Sequence, residues 1–173
     1  TPPDLVQGIL AGGDKALTRS SEGLEDNYSL AIKDLNDKSF SNKDCLIGIT
    51  SGGSTPYVIG GLEYAKSINA LSILITCVPK EQARIACDID IRLITGAELI
   101  SGSTRLKAGT ATKMALNIIS TSIMIRLGKV YSNQMIDVSV TNSKLYDRQD
   151  HTYKWTHVSP ILCDVIWEFD WVD

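Results

Sequence analysis

The chain has 173 residues, is 43% hydrophobic and 21% charged, and carries a formal net charge of −3, a composition that suits one globular domain able to bury roughly 70% of its unfolded surface. This mildly acidic balance gives no basic footprint for nucleic acid. No apolar run approaches the ~20 residues that span a bilayer, and no basic segment precedes an apolar one at the start, so no membrane association and a cytoplasmic location are expected. Cys45, Cys77, Cys87 and Cys163 show no CxxC spacing, and His151 and His157 lack a third ligand, so no metal site is expected. Cys45 and Cys77 flank apolar runs and read as buried free thiols.

In chain order, Pro2 and Pro3 open without a preceding element, as if cut from something longer. Residues 5–10 read as a short strand before the Gly12-Gly13 turn. Residues 14–37 have helical periodicity, with Leu24, Tyr28, Ala31, Ile32 and Leu35 at three- and four-residue spacing and a break near Gly23. At the break Glu22, Glu25 and Asp26 cluster, a pattern that serves either as a solvated turn or as a source of carboxylates for proton transfer.

Residues 44–50 form an apolar run suited to a buried parallel strand, and it leads into Ser51-Gly52-Gly53-Ser54-Thr55-Pro56. A strand ending in a Gly/Ser/Thr turn that opens a helix joins the carboxyl edge of a sheet to a helix N-terminus, a favoured place for an anionic ligand. Ser51, Ser54 and Thr55 are the candidate contacts there. Pro56 suits a first helical turn, with Tyr57, Ile59, Leu62 and Ala65 on the buried side. Residues 71–78 form the next strand, and residues 85–94 read as a helix end followed by another strand. Short apolar strands alternating with amphipathic helices predict an α/β fold, a parallel sheet flanked by helices.

Residues 96–113, GAELISGSTRLKAGTATK, gather three glycines, five hydroxyls, Arg105, Lys107, Lys113 and the carboxylate Glu98. Glycines allow close backbone approach, hydroxyls and amides donate, and a helix starting near Thr104 directs its positive end at the same place, so an oxyanion such as phosphate is the expected guest. The plainer reading is an N-capped helix with Arg105 and Lys107 solvated. The helix extends to about Leu127 with apolar faces for core or dimer packing, and Gly128 is its natural C-cap. Residues 128–148 read as helix and connecting loop.

The order of residues in 96–113 resembles, position for position, the signature of the N-acetylmuramic acid 6-phosphate etherases and the related glucokinase regulatory proteins, members of the sugar isomerase (SIS) domain family. The resemblance covers residues 1–148, is closer to the etherases, and includes Asn133, Met135, Asp137 and Asn142. It implies a SIS-type fold, here incomplete at the N-terminal side, because the family carries before this point a helix, a first strand, a Gly-rich phosphate loop and one of two catalytic glutamates. Glu25 matches the second catalytic glutamate, in a segment similar to Glu-Gly-Ala-Glu-Asp. Glu98, Ser103, Thr104, Arg105 and Lys107 join Ser51, Ser54 and Thr55 as substrate contacts.

By this resemblance the expected activity is that of a carbon–oxygen lyase. It would cleave the D-lactyl ether of N-acetylmuramic acid 6-phosphate to N-acetylglucosamine 6-phosphate and D-lactate in cell-wall recycling, with no cofactor, as a homodimer whose sites lie near the subunit boundary. The chain departs from the etherases at one loop: they read Ala-Ser-Gly-Arg-Thr-Pro-Tyr, so a serine is Gly52 here and an arginine is Ser54. A non-catalytic phosphosugar-binding or regulatory module, or an inactive gene fragment, is therefore the alternative. Residues 149–173, with all three tryptophans and both histidines, match nothing in the family and form an unassigned tail.

Overall fold

The computed structural model describes residues 4–19 and 23–136. The chain divides into two compact units, Thr1–Ala115 and Leu116–Asp173. In the first, three parallel strands, β1 (Cys45–Ile49), β2 (Leu71–Thr76) and β3 (Ile89–Arg92), form a sheet in that order. Gly48 pairs with Leu74 and Leu74 with Asp90, so this register sets one face of all three strands. Leu74 and Ile75 of β2 are fully buried, as an apolar central strand requires.

Helix α2 (Pro56–Ser67) connects β1 to β2, with Pro56 in its first turn, where a missing N–H costs nothing. It packs on β1 and β2 through the fully buried Leu62 and Ala65, while Tyr57 and Ile59 are half-buried. Helix α1 (Tyr28–Asp37) packs against α2. Gly60 makes this close: a Cβ there would lie 2.4 Å from the Tyr28 carbonyl oxygen. Three tyrosines bridge the pair. Tyr57 Oη donates to Asp34 Oδ2 (2.7 Å), Tyr64 Oη donates to Asn36 Oδ1 (2.6 Å), and the Tyr28 hydroxyl donates to the Glu63 carboxylate.

Several sequence expectations change. Residues 5–10 are a turn and irregular chain with Leu5, Val6 and Leu10 exposed, not a strand. The 14–37 periodicity divides into a 3-10 turn (Gly13–Leu17) and α1, because the Asn27 side chain accepts from Leu30 N (3.1 Å) and caps a helix that starts at Tyr28. The helix end expected before β3 is absent: beyond the turn after Pro79 the chain is irregular, its carbonyls engaged by Arg92. Cys77 is a buried free thiol, whereas Cys45, at the start of β1, is exposed.

Helix α3 (Lys107–Arg126) starts three residues later than expected and runs from the first unit into the second. Of its residues only Ala108 is buried; Ile118, Ile123 and Ile125 are exposed, so the expected core packing is not seen among the described residues. Gly128, at φ +70, ends it: Lys129 N donates to Met124 O and Gly128 N to Ile125 O, both at 3.0 Å, the paired bonds of a Schellman closure. Beyond the helix lies a hairpin rather than the expected helical segment. Val130–Tyr131 (β4) pairs antiparallel with Gln134–Met135 (β5) across Ser132 and Asn133, because Ser132 adopts φ 55 and turns the chain back. Asp137, Asn142, Cys163, both histidines and the 149–173 tail lie outside the described residues.

Candidate functional site

Both stretches expected from sequence to meet a ligand leave the carboxyl edge of the sheet. By strand alternation Thr50, Thr76 and Arg92 form a row across that edge, on the face that α2 covers. Each holds loop backbone. Thr50 Oγ1 accepts from Gly53 N (3.2 Å) and shares a hydrogen bond with Thr55 Oγ1 (2.8 Å). Thr76 Oγ1 donates to the Ser51 carbonyl (3.1 Å), which also accepts from Cys77 N (3.0 Å). Arg92 donates to the carbonyls of Val78 (3.2 Å) and Ala83 (2.8 Å). Gly53, at φ +71, fits a place that no side chain could share, since a Cβ there would lie 2.4 Å from Ala83 Cβ.

These bonds fix the backbone of the 51–55 loop and leave its polar surface outward: Ser51 and Thr55 are half-buried and Ser54 is exposed. Thr55 precedes α2 without capping it, its hydroxyl being engaged with Thr50. Tyr57 N donates to the Glu25 carbonyl (3.0 Å), which ties the exposed turn before α1 to the first turn of α2. Glu25 is thereby brought beside the 51–55 loop, although Ser51 comes 26 positions after it in sequence. Burial, and then the hydrogen bond to Asp34, push the neighbouring Tyr57 phenol well above its ordinary range.

In the second stretch, Glu98 acts on the protein itself. Its carboxylate accepts from Lys107 N (Oε2, 2.9 Å) and Ala108 N (Oε1, 2.9 Å), so the α3 N-terminus, expected from sequence to face a phosphate, is held by an internal anion. The Ala108 and Lys107 amides hold the Glu98 carboxyl below its ordinary pKa. Ser103 is half-buried, while Thr104, Arg105 and Lys107 are exposed. Cys77 joins the two stretches: its amide bonds Ser51, and its thiol lies 3.7 Å from the Ala108 carbonyl and from Thr112 Oγ1.

The structure therefore gathers Glu25, the 51–55 loop and the start of α3 at one sheet edge, with hydroxyls and two cations outward. Such an edge presents hydroxyls and cations of the kind an oxygen-rich anion needs, with the Glu25 backbone tied to the same turn. Thr50, Thr76, Cys77 and Arg92 were missed as site residues in the sequence. Their signal was present as the polar groups that close each apolar run: Thr50 after LIGI, Thr76 and Cys77 after LSILI, and Arg92 after IDI. Among the described residues no three His, Cys, Asp or Glu side chains gather as a metal site would need, and no helix is long and apolar enough to cross a membrane.

The chain is similar to known proteins of one family. The glucokinase regulatory protein N-terminal SIS domain family matches residues 2–66. An N-acetylmuramic acid 6-phosphate etherase of Prochlorococcus marinus (strain MIT 9313) is 68% identical over 146 residues, covering 84% of this chain and 46% of the relative. Etherases of Synechococcus sp. (strain CC9902) and Parasynechococcus marenigrum (strain WH8102) are 66% and 64% identical, again over 84% of this chain and 46% of theirs. The chain thus spans about half the length of the curated relatives it matches. With a parallel sheet flanked by helices and this identity over 84% of its length, the chain is a relative of the SIS-domain N-acetylmuramic acid 6-phosphate etherases.

Proposed function

We propose that this chain forms part of a phosphosugar site in a carbon–oxygen lyase acting on N-acetylmuramic acid 6-phosphate. The single observation that carries this reading is the hydrogen bond from Tyr57 N to the Glu25 carbonyl, 3.0 Å long. It keeps the carboxylate residue that resembles the etherase glutamate against the helix turn that comes after the candidate phosphate loop. Ser51, Ser54 and Thr55, with Ser103, Thr104, Arg105 and Lys107, are the proposed contacts to phosphate and sugar, and Glu98 orders the start of α3 beside them.

In the elimination a base removes the proton from the carbon beside the ether-bearing carbon. The ether C–O bond breaks, an acid protonates the departing lactate oxygen, and water then adds across the new double bond to give N-acetylglucosamine 6-phosphate. Glu25 supplies one of the acid–base roles. The proposed setting is the cytoplasm, with two copies of the protein forming the working unit.

The test is D-lactate release from N-acetylmuramic acid 6-phosphate by the purified chain, with Glu25→Gln alongside. Release that is lost in the variant supports the reading; equal release by both proteins removes Glu25 from the chemistry. A second reading, sugar-phosphate binding without turnover, is favoured by Gly52 and Ser54, which stand where the etherases carry a serine and an arginine. It predicts a measurable Kd for N-acetylglucosamine 6-phosphate from a chain that releases no lactate.

A further inference from the structure

We infer that Arg92 is a positioning residue for the 51–55 loop and that it acts through Ala83; the inference rests on reading that loop as the phosphosugar contact. The Arg92 side chain is only 14% exposed and sits in a fork with Asp90, Nη2 donating to Oδ2 (2.9 Å) and Nε to Oδ1 (2.5 Å). This fork fixes the guanidinium plane. The remaining N–H groups then meet the carbonyls of Val78 (3.2 Å) and Ala83 (2.8 Å), in a segment with no helix or strand of its own to hold it.

Ala83 is buried, and its methyl occupies the space where a side chain on Gly53 would be. Arg92 thus sets the height of Ala83, and Ala83 limits where the Gly53 backbone lies. Thr50 and Thr76 fix the same loop from the sheet side, so it is held between the strand ends and the Ala83 methyl. Lysine could not replace this arginine. One ammonium cannot make a planar fork with Asp90 and also reach two carbonyls.

If Arg92 served only the general stability of the sheet, its loss would lower the melting temperature without a preferential effect on the loop. Amide hydrogen exchange and binding of N-acetylglucosamine 6-phosphate, measured on the full chain, separate these cases. The set comprises wild type, Arg92→Lys, Ala83→Gly and the double variant. Each single change is expected to speed exchange at residues 51–55 by roughly tenfold, leave the central amides of β2 unchanged, and weaken binding by about fivefold to tenfold. Ala83→Gly does this without touching the Arg92 bonds. The double variant should match the worse single one, since both act along one path.

Unchanged loop exchange in Arg92→Lys, a uniform rise across the sheet, or additive effects in the double variant would each overturn the inference. Exchange needs no ligand. If wild type binds no sugar phosphate, the reading of the loop as a phosphosugar contact fails, while the exchange data still decide whether Arg92 positions it.

Discussion

Gly52→Ser with Ser54→Arg would return to the loop the hydroxyl and guanidinium that the etherases carry there, and the structure has room for both. A Cβ built on Gly52 meets only Ser54 Oγ, at 3.8 Å, and Gly52 is not among the glycines at positive φ. Ser54 is exposed, so an arginine can extend without displacing core. A hydrogen bond to a charged partner is worth about 1.5–3 kcal/mol and a neutral one about 1. Exposure brings the sum below its lower end of about 2.5, to about 2 kcal/mol. At about 1.4 kcal/mol per decade this is roughly 30-fold tighter binding of N-acetylglucosamine 6-phosphate.

Titration calorimetry at low and high salt measures the gain, which should shrink with salt because an exposed pair is screened. The neighbouring position supplies the opposite control. Gly53→Ala places a side chain at φ +71 and 2.4 Å from Ala83 Cβ, costing about 1–2 kcal/mol for the left-handed backbone and about 1–3 for overpacking, and it should loosen the loop and weaken binding. The reasoning is refuted if the double variant binds no tighter, or if it tightens unphosphorylated N-acetylglucosamine equally, since the added cation would then not be reading phosphate.

Ionisation gives two further expected outcomes. The Ala108 and Lys107 amides lower the Glu98 pKa, so its support of α3 is complete above the ordinary value of 4.5 and fades as pH falls through the lowered one; Glu98→Gln should reduce the melting temperature at neutral pH, with the gap to wild type closing in acid. Burial and Asp34 raise the Tyr57 pKa, so the neutral phenol contributes stability below pH 10, its ordinary value, and that contribution is lost as pH rises through the raised one. A tyrosinate absorbance titration should show a tyrosine ionising late, and Tyr57→Phe should remove it.

How much of this was legible in the sequence depends on whether a feature is local. The alternation LIGI, SILI, IDI gave the parallel strands, and Pro56 gave the start of α2, because burial and a fixed φ act within a few residues. The helix that became a hairpin at Val130–Met135 turned on Ser132 taking a left-handed φ, which composition does not announce. The start of α3 moved from Thr104 to Lys107 because the capping carboxylate comes from Glu98, nine residues before Lys107 and outside the usual cap spacing. Glu25, Ser51 and Lys107 could be named from a resembling motif. Their supports, Thr50, Thr76, Cys77 and Arg92, became visible only when strand register brought them into one row.

That row also decides which helix end is open to a ligand. Two helices begin at the carboxyl edge, where first-turn amides concentrate partial positive charge unless an internal group satisfies them. At α3 the Lys107 and Ala108 amides are satisfied by Glu98, so a phosphate arriving there would have to displace a carboxylate already bonded at 2.9 Å twice. At α2 no carboxylate bonds the first-turn amides among the described residues: Pro56 has no N–H, the Tyr57 amide meets a neutral carbonyl, and the Thr55 hydroxyl is drawn back to Thr50. On the proposed reading the 51–55 loop is therefore the helix end left to an anion, and Arg105 and Lys107 would act as cations from across the edge rather than as parts of a helix-end cradle. On that same reading Glu25, tied to the turn through Tyr57, belongs on the phosphosugar's side, and Gly52→Ser with Ser54→Arg tests whether its affinity is set in this loop.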